Sequence, residues 1–218
     1  MKVIQETIKF VKEKLKDDSS GHDWWHIYRV WKTSKNIANN YKNCDQYVIE
    51  LSALLHDIAD WKDNDGDFSI GAKVSREWLS NFDSLNEEQI DHICFIVENI
   101  SFKGANADKP VLTLEGQIVQ DADRLDAMGA MGVARTFAYG GHKGQLIYHP
   151  EIPPINHINE TSYVKNNKPS TSVNHFYEKL LLLKDRLNTE YGKKLAHDRH
   201  IFMQDFLNQF YKEWEGEK

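Results

Sequence analysis

The chain has 218 residues, 40% hydrophobic and 28% charged, with a formal net charge of -6 at pH 7. That length supports one good-sized core, and the acidic balance excludes a long nucleic-acid partner, which calls for a basic face; small phosphorylated ligands need only a few cations. The two cysteines, Cys44 and Cys94, lack CxxC spacing, which excludes a disulfide framework and a thiolate zinc site and suits a reducing, cytoplasmic setting.

Helical periodicity dominates from the first residue, and no run alternates with period two. Helices are predicted near 2–16, 24–41, 45–60, 69–82, 87–101, 115–137, 174–188 and 192–214. The first, MKVIQETIKFVKEKLK, intersperses charges with Val3, Ile4, Ile8, Val11 and Leu15. It reads as an amphipathic helix packed on the body, not as a signal peptide or a membrane span. In the second, Asp23 is a plausible N-cap, and His26, Val30, Thr33 and Ile37 share one face, so His26 points toward the core. His22, four residues earlier, is its rival; a position at or before the cap is less rigid, which favours His26 as a ligand and His22 as a pocket residue.

The third predicted helix carries the most informative feature, His56-Asp57 inside the apolar run LSALLHDIADW. Leu51, Leu54, Leu55 and Ile58 turn one face into a core and carry His56 and Asp57 along its edge. An isolated His-Asp dipeptide says little, and this chain holds two others: His22-Asp23, and His197-Asp198, which lies among charges and reads as a solvated helix face. The apolar setting makes the difference, because a partly buried carboxylate needs a partner and a cation is one. Asp60 lies three residues after Asp57, on the same edge one turn along, where it suits a group that handles a water proton, weighed against a local salt bridge or cap contact.

Two polar loops, KDNDGD and KGANADKP, flank the next pair of helices. The predicted helix 115–137 holds Asp121, Asp123 and Asp126; Asp123 and Asp126 share an edge, while Asp121 is rotated away. Its small residues, Ala127, Gly129, Ala130 and Gly132, allow another helix to approach closely. The segment 139–173 carries four of the five prolines and little periodicity, and reads as a long irregular insertion able to flap over a site, with short β pairing near 145–148. Two histidines with two aspartates form a mixed nitrogen and oxygen set. Such a set suits Mn, Fe, Mg, Co or Ni in an open octahedral site, whose chemistry supports hydrolysis of a phosphoester or phosphoanhydride.

The strings GHDWWHIYRV, LLHDIADWK, IVQDADRLDAMGAMGVARTFAYGG and HFYEKLLLLKDRLNT resemble the HD-domain phosphohydrolase superfamily, and within it the small bacterial YedJ/YpgQ type. The similarity runs from about Gly21 to Trp214. It implies an all-α HD fold in one domain over 1–218, with core motifs in 22–135 and C-terminal helices in 174–214. It also implies one divalent metal ion, Mn2+ before Mg2+, Fe, Co2+ or Ni2+, on His26, His56, Asp57 and Asp123. The ADRL motif is what selects Asp123 over Asp121 and Asp126, and the catalytic acid of several relatives corresponds to Asp60. Where relatives carry a histidine before Ser-Phe, this chain has Ile100, which favours a mononuclear site.

The resemblance further implies a nucleotide pyrophosphohydrolase, releasing a monophosphate and pyrophosphate from a (deoxy)nucleoside triphosphate. A 5'-nucleotidase or other phosphomonoesterase, and a regulatory protein that binds nucleotide without turnover, are the alternatives. Arg29, Lys62, Arg124 and Lys179 are candidates for holding phosphates, with Arg124 and Lys179 ranked first, although a surface cation needs no functional explanation. Trp24, Trp25, Tyr28 and Trp61 could stack a base, although aromatic residues at helical spacing are more often core. The expected partner is a small phosphorylated substrate, with no nucleic-acid polymer and no membrane; a homodimer is allowed.

Overall fold

The computed structural model describes residues 2–16, 23–59, 67, 69–100, 112–155 and 170–217. Helices account for the regular structure of these residues, in the order α1 (Lys2–Lys14), α2 (Trp24–Ala38), α3 (Gln46–Leu55), α4 (Ile70–Leu79), α5 (Glu87–Ile100), α6 (Leu114–Asp126), α7 (Gly129–His142), α8 (Ser172–Glu178), a 3-10 helix (Leu180–Arg186) and α9 (Glu190–Trp214). The all-α fold class expected from periodicity is what the described residues show. None of their helices is long and apolar enough to cross a membrane. The chain divides into two compact units, the first ending at Asp123 within α6 and the second covering the described residues from Arg124 onward.

In the first unit α3 is the central element. Asp45 caps it, its carboxylate accepting from the Tyr47 and Val48 amides at 2.8 and 3.2 Å. Val48, Ile49 and every residue from Leu51 to Leu55 are buried, so this short helix has core on several sides. Helices α1, α2 and α5 all pack against it. On α2, Asp23 caps as expected, accepting from the His26 amide at 2.9 Å. Its core face is His26, Ile27, Val30, Ser34 and Ile37, with Ser34 rather than Thr33 turned fully inward. α1 is amphipathic and packed, as its pattern predicts: Val3, Ile4 and Val11 are buried, Phe10 stacks on Trp78 at 4.1 Å, and the Trp78 indole donates to Thr7.

The third helix is shorter than its periodicity predicts. It ends at Leu55; His56 is its C-cap, and the Ile58 amide bonds back to the Leu55 carbonyl across a tight turn. His56 and Asp57 therefore leave from a turn at the end of α3 rather than from the edge of a continuing helix. The apolar run conceals this stop because Ile58 remains 2% exposed and keeps the helical pattern alive.

The second unit corrects the single helix expected over 115–137. It breaks at Met128, whose backbone is extended (φ -121, ψ 164), and restarts at Gly129, whose φ of +66 is the left-handed region that glycine tolerates. A Cβ on Gly129 would also lie 3.0 Å from Cγ of Arg199, whose guanidinium donates to the Leu125 carbonyl at the end of α6. The helix expected over 174–188 is likewise two pieces, α8 and the 3-10 helix. α9 packs on α7 and on the 3-10 helix, with Phe137, Phe176, Phe206 and Phe210 forming a ring cluster. His197 and Asp198 are exposed on α9, as their charged setting predicts. The irregular insertion is narrower than expected, since α7 runs to His142 and α8 starts at Ser172, and 156–169 lies outside the described residues. No strand forms at 145–148, although the Leu146 and Ile147 carbonyls accept from the Ser172 and Val173 amides at 2.9 and 3.0 Å.

Candidate metal centre

The first unit brings four side chains from three elements to one point. His26 comes from the first turn of α2, His56 and Asp57 from the turn closing α3, and Asp123 from α6. Both histidine side chains are 1% exposed, Asp57 is 21% exposed and Asp123 37%, so the nitrogen side of the cluster is buried and the carboxylate side reaches solvent. Donor atoms of His26, His56 and Asp123 all lie within 4.8 Å of one another. Asp57 Oδ2 is 3.4 Å from Nε2 of His26 and 3.4 Å from Nε2 of His56.

The orientation of His56 is set by the backbone. Its Nδ1 is 2.9 Å from the Ala53 carbonyl. A carbonyl only accepts, so Nδ1 carries the hydrogen and Nε2 presents its lone pair to the cluster. Donation of the outer ring nitrogen to a backbone carbonyl is how metal-binding histidines are commonly held. The two Nε2 atoms are 3.2 Å apart, and Asp123 Oδ1 is 3.5 Å from that of His26 and 3.9 Å from that of His56.

These separations fit one divalent cation. Bonds of about 2.1 Å at right angles would put neighbouring donors about 3.0 Å apart, close to the 3.2 Å of the histidine pair, while the carboxylate oxygens, now 3.4 to 3.9 Å from the histidine nitrogens, would move inward. Two carboxylates balance a dication when the imidazoles are neutral. On an octahedral ion, two nitrogens and two oxygens would leave two positions for water or substrate, whereas a closed structural zinc site is tetrahedral.

Of the three acids on α6, it is Asp123 whose carboxylate lies within 4 Å of both histidines. Asp121 is 0% exposed, and Asp126 accepts from Arg135 at 2.6 Å. Ile100 is 4% exposed at the end of α5, where its carbonyl accepts from Gln120 at 3.2 Å. Asp60, His22, Lys62 and Trp61 lie outside the described residues. In the second unit, Arg124 donates to the Arg186 carbonyl, and Lys179 ends α8 beside His175. Trp25 is 60% exposed and Tyr28 36%, on the outward side of α2, while Lys12 sits 4.8 Å over the Trp24 ring.

Sequence reasoning did not find the Ala53 carbonyl, because a backbone acceptor leaves no mark in residue type. Nor did it single out Glu50, whose carboxylate takes hydrogen bonds from Trp31 and Lys35 on α2. Its signal is present: Glu50 is the one charge between Val48 and Leu55.

A family model described as HD domain matches residues 24–128, the span that contains all four clustered side chains. The chain is also 36% identical over 219 residues to the uncharacterized protein YpgQ of Bacillus subtilis (strain 168), covering 99% of this chain and 96% of the relative. The chain belongs to the HD-domain phosphohydrolase superfamily. Among solved structures, an HD-superfamily hydrolase from Bacillus thuringiensis is 43% identical with a TM-score of 0.76, covering 98% of this chain and 97% of that one. YpgQ of Bacillus subtilis in complex with ADP is 32% identical with a TM-score of 0.76, covering 99% of this chain and 100% of its own. HD domains bind divalent metals, and the cluster of His26, His56 and Asp123 is compatible with one.

Proposed function

We propose that this HD protein is a metal-dependent hydrolase of nucleotides that converts a (deoxy)nucleoside triphosphate to its monophosphate and pyrophosphate. The observation that carries the reading is the convergence of two buried imidazoles and two part-exposed carboxylates, with Nε2 atoms 3.2 Å apart. His26, His56, Asp57 and Asp123 hold a single divalent ion, with Mn2+ first among the metals that suit this donor set. That ion supplies Lewis-acid activation of water and neutralisation of phosphate oxygens. The chain's own contribution is to fix the donors: Ala53 sets the tautomer of His56, and the buried imidazoles keep the nitrogen side dry. The exposed carboxylate side leaves room for the substrate phosphates. Asp60, three residues beyond Asp57, takes the proton of the attacking water, a role that rests on the resemblance and on its place in the sequence.

The nucleotide preference is supported by the ADP bound to the Bacillus subtilis relative. The test is product analysis. The protein is incubated with a panel of nucleoside and deoxynucleoside tri-, di- and monophosphates in the presence of Mn2+, and the phosphorus products are identified. Pyrophosphate from triphosphates is the expected result. Orthophosphate alone, released from monophosphates, would show a phosphomonoesterase, and tight nucleotide binding with no turnover under any metal would show a binding protein.

A further inference from the structure

The two histidines belong to different helices, so their spacing depends on how α2 and α3 sit along one another. The helices run antiparallel: His26 at the start of α2 meets His56 at the end of α3, while Trp31 and Lys35, further along α2, meet Glu50, earlier in α3. One residue of axial slip moves a side chain by about 1.5 Å. A metal site tolerates about 0.2 Å in its ligand distances. The two helices pack on one another, and apart from His26 and two serines the residues they bury are apolar, among them Ile27, Val30 and Ile37 on α2 and Val48, Leu51 and Leu55 on α3. The hydrophobic drive is itself non-directional, so a polar contact adds a directional restraint that burial alone does not supply.

Glu50 supplies the missing direction. Its side chain is 13% exposed, and its Oε2 accepts from the Trp31 indole at 2.8 Å and from the Lys35 ammonium at 2.9 Å. Lys35 also lies 5.1 Å over the Trp31 ring, so the three side chains brace one another. The brace ties α2 to α3 about two turns from the histidine pair.

We infer that Glu50 is a positioning residue for the metal centre, holding the axial register of α2 against α3 so that Nε2 of His26 and Nε2 of His56 face one ion. The inference rests on the metal reading above. Both bonds fall on one oxygen, so Glu50→Gln keeps an acceptor with two lone pairs for Trp31 and Lys35, whereas Glu50→Ala removes it.

Two readouts separate positioning from plain stability: the Mn2+ dissociation constant by chelator competition, and the cross-relaxation between the His26 and His56 ring protons in metal-free protein. Glu50→Ala is expected to weaken Mn2+ binding by about tenfold, the size typical of groups that orient metal ligands, and to reduce the ring contact. Glu50→Gln is expected to stay close to wild type in both. Should Glu50→Ala not fold, Trp31→Phe keeps a smaller aromatic ring while removing the indole donor, and is expected to shift both readouts in the same direction. Wild-type affinity and ring contact in variants that merely melt earlier would overturn the inference. If the wild-type protein binds no Mn2+ while the ring contact still responds to Glu50, the metal reading fails and the register role stands.

Discussion

Replacing Asp123 by Asn isolates the charge of one candidate ligand while keeping its shape and one acceptor oxygen. Asp123 is 37% exposed, so water screens it, and the bulk dielectric sets a floor for its interaction with a dication. At a ligand distance of about 2.1 Å, a unit charge and a double charge attract by about 4 kcal/mol in that limit. At about 1.4 kcal/mol per decade this is nearly three orders of magnitude in affinity. The Asn carbonyl recovers part of the loss, so Mn2+ affinity is expected to fall by at least about a hundredfold. Asp121→Asn is the internal control: Asp121 is fully buried and two residues from Asp123 along the helix, about 200° around its axis, so its replacement is expected to lower the melting temperature of metal-free protein and leave Mn2+ affinity within about twofold. Competition against a fluorescent chelator gives the affinities, and thermal melts of metal-free protein give the stabilities. Unchanged Mn2+ binding in Asp123→Asn, or its loss in Asp121→Asn, would refute the assignment.

Asp60→Asn is expected to lower kcat by about a hundredfold or more while Mn2+ affinity stays near wild type, as a group that moves a proton without holding the ion requires. Equal loss of metal and turnover would make Asp60 a ligand instead. A pH prediction concerns the second unit. Burial, reinforced by the Lys179 charge, pushes the His175 imidazole down from 6.5 to about 4. Between those two values the unfolded chain binds a proton that the folded chain refuses, so stability falls as pH drops through the window from 6.5 to about 4 and is level above it. At about 1.36 kcal/mol per pH unit the loss reaches about 3 kcal/mol. Urea melts of His175→Gln are expected to show a shallower acid decline than wild type; parallel curves would remove His175 as the cause.

How much could be read beforehand differs from residue to residue. His26 was legible because Asp23 fixes where α2 begins, and a known start fixes which face each later residue takes. Resemblance, not periodicity, chose Asp123 among three acids; periodicity only separated it from Asp121. The end of α3 was not legible. It has no glycine or proline to mark it, and Ile58 prolongs the apolar pattern, so His56 and Asp57 read as helical when they occupy a turn. The break before α7 was written as Gly129, but its small neighbours equally suit close helix packing, and only the backbone φ of +66 distinguishes the two uses. Contacts between side chains far apart in sequence, such as Glu50 with Trp31, have no local pattern at all. An acid inside an apolar helix says that a partner exists without saying which.

The central claim is that His26, His56, Asp57 and Asp123 together hold one divalent ion. Its most direct test is a crystal of the Mn2+-loaded protein measured for anomalous scattering. One peak is expected, about 2.1 Å from Nε2 of both histidines and bonded to oxygens of both aspartates. No peak between the histidines, or a peak whose ligands exclude Asp123, would contradict it.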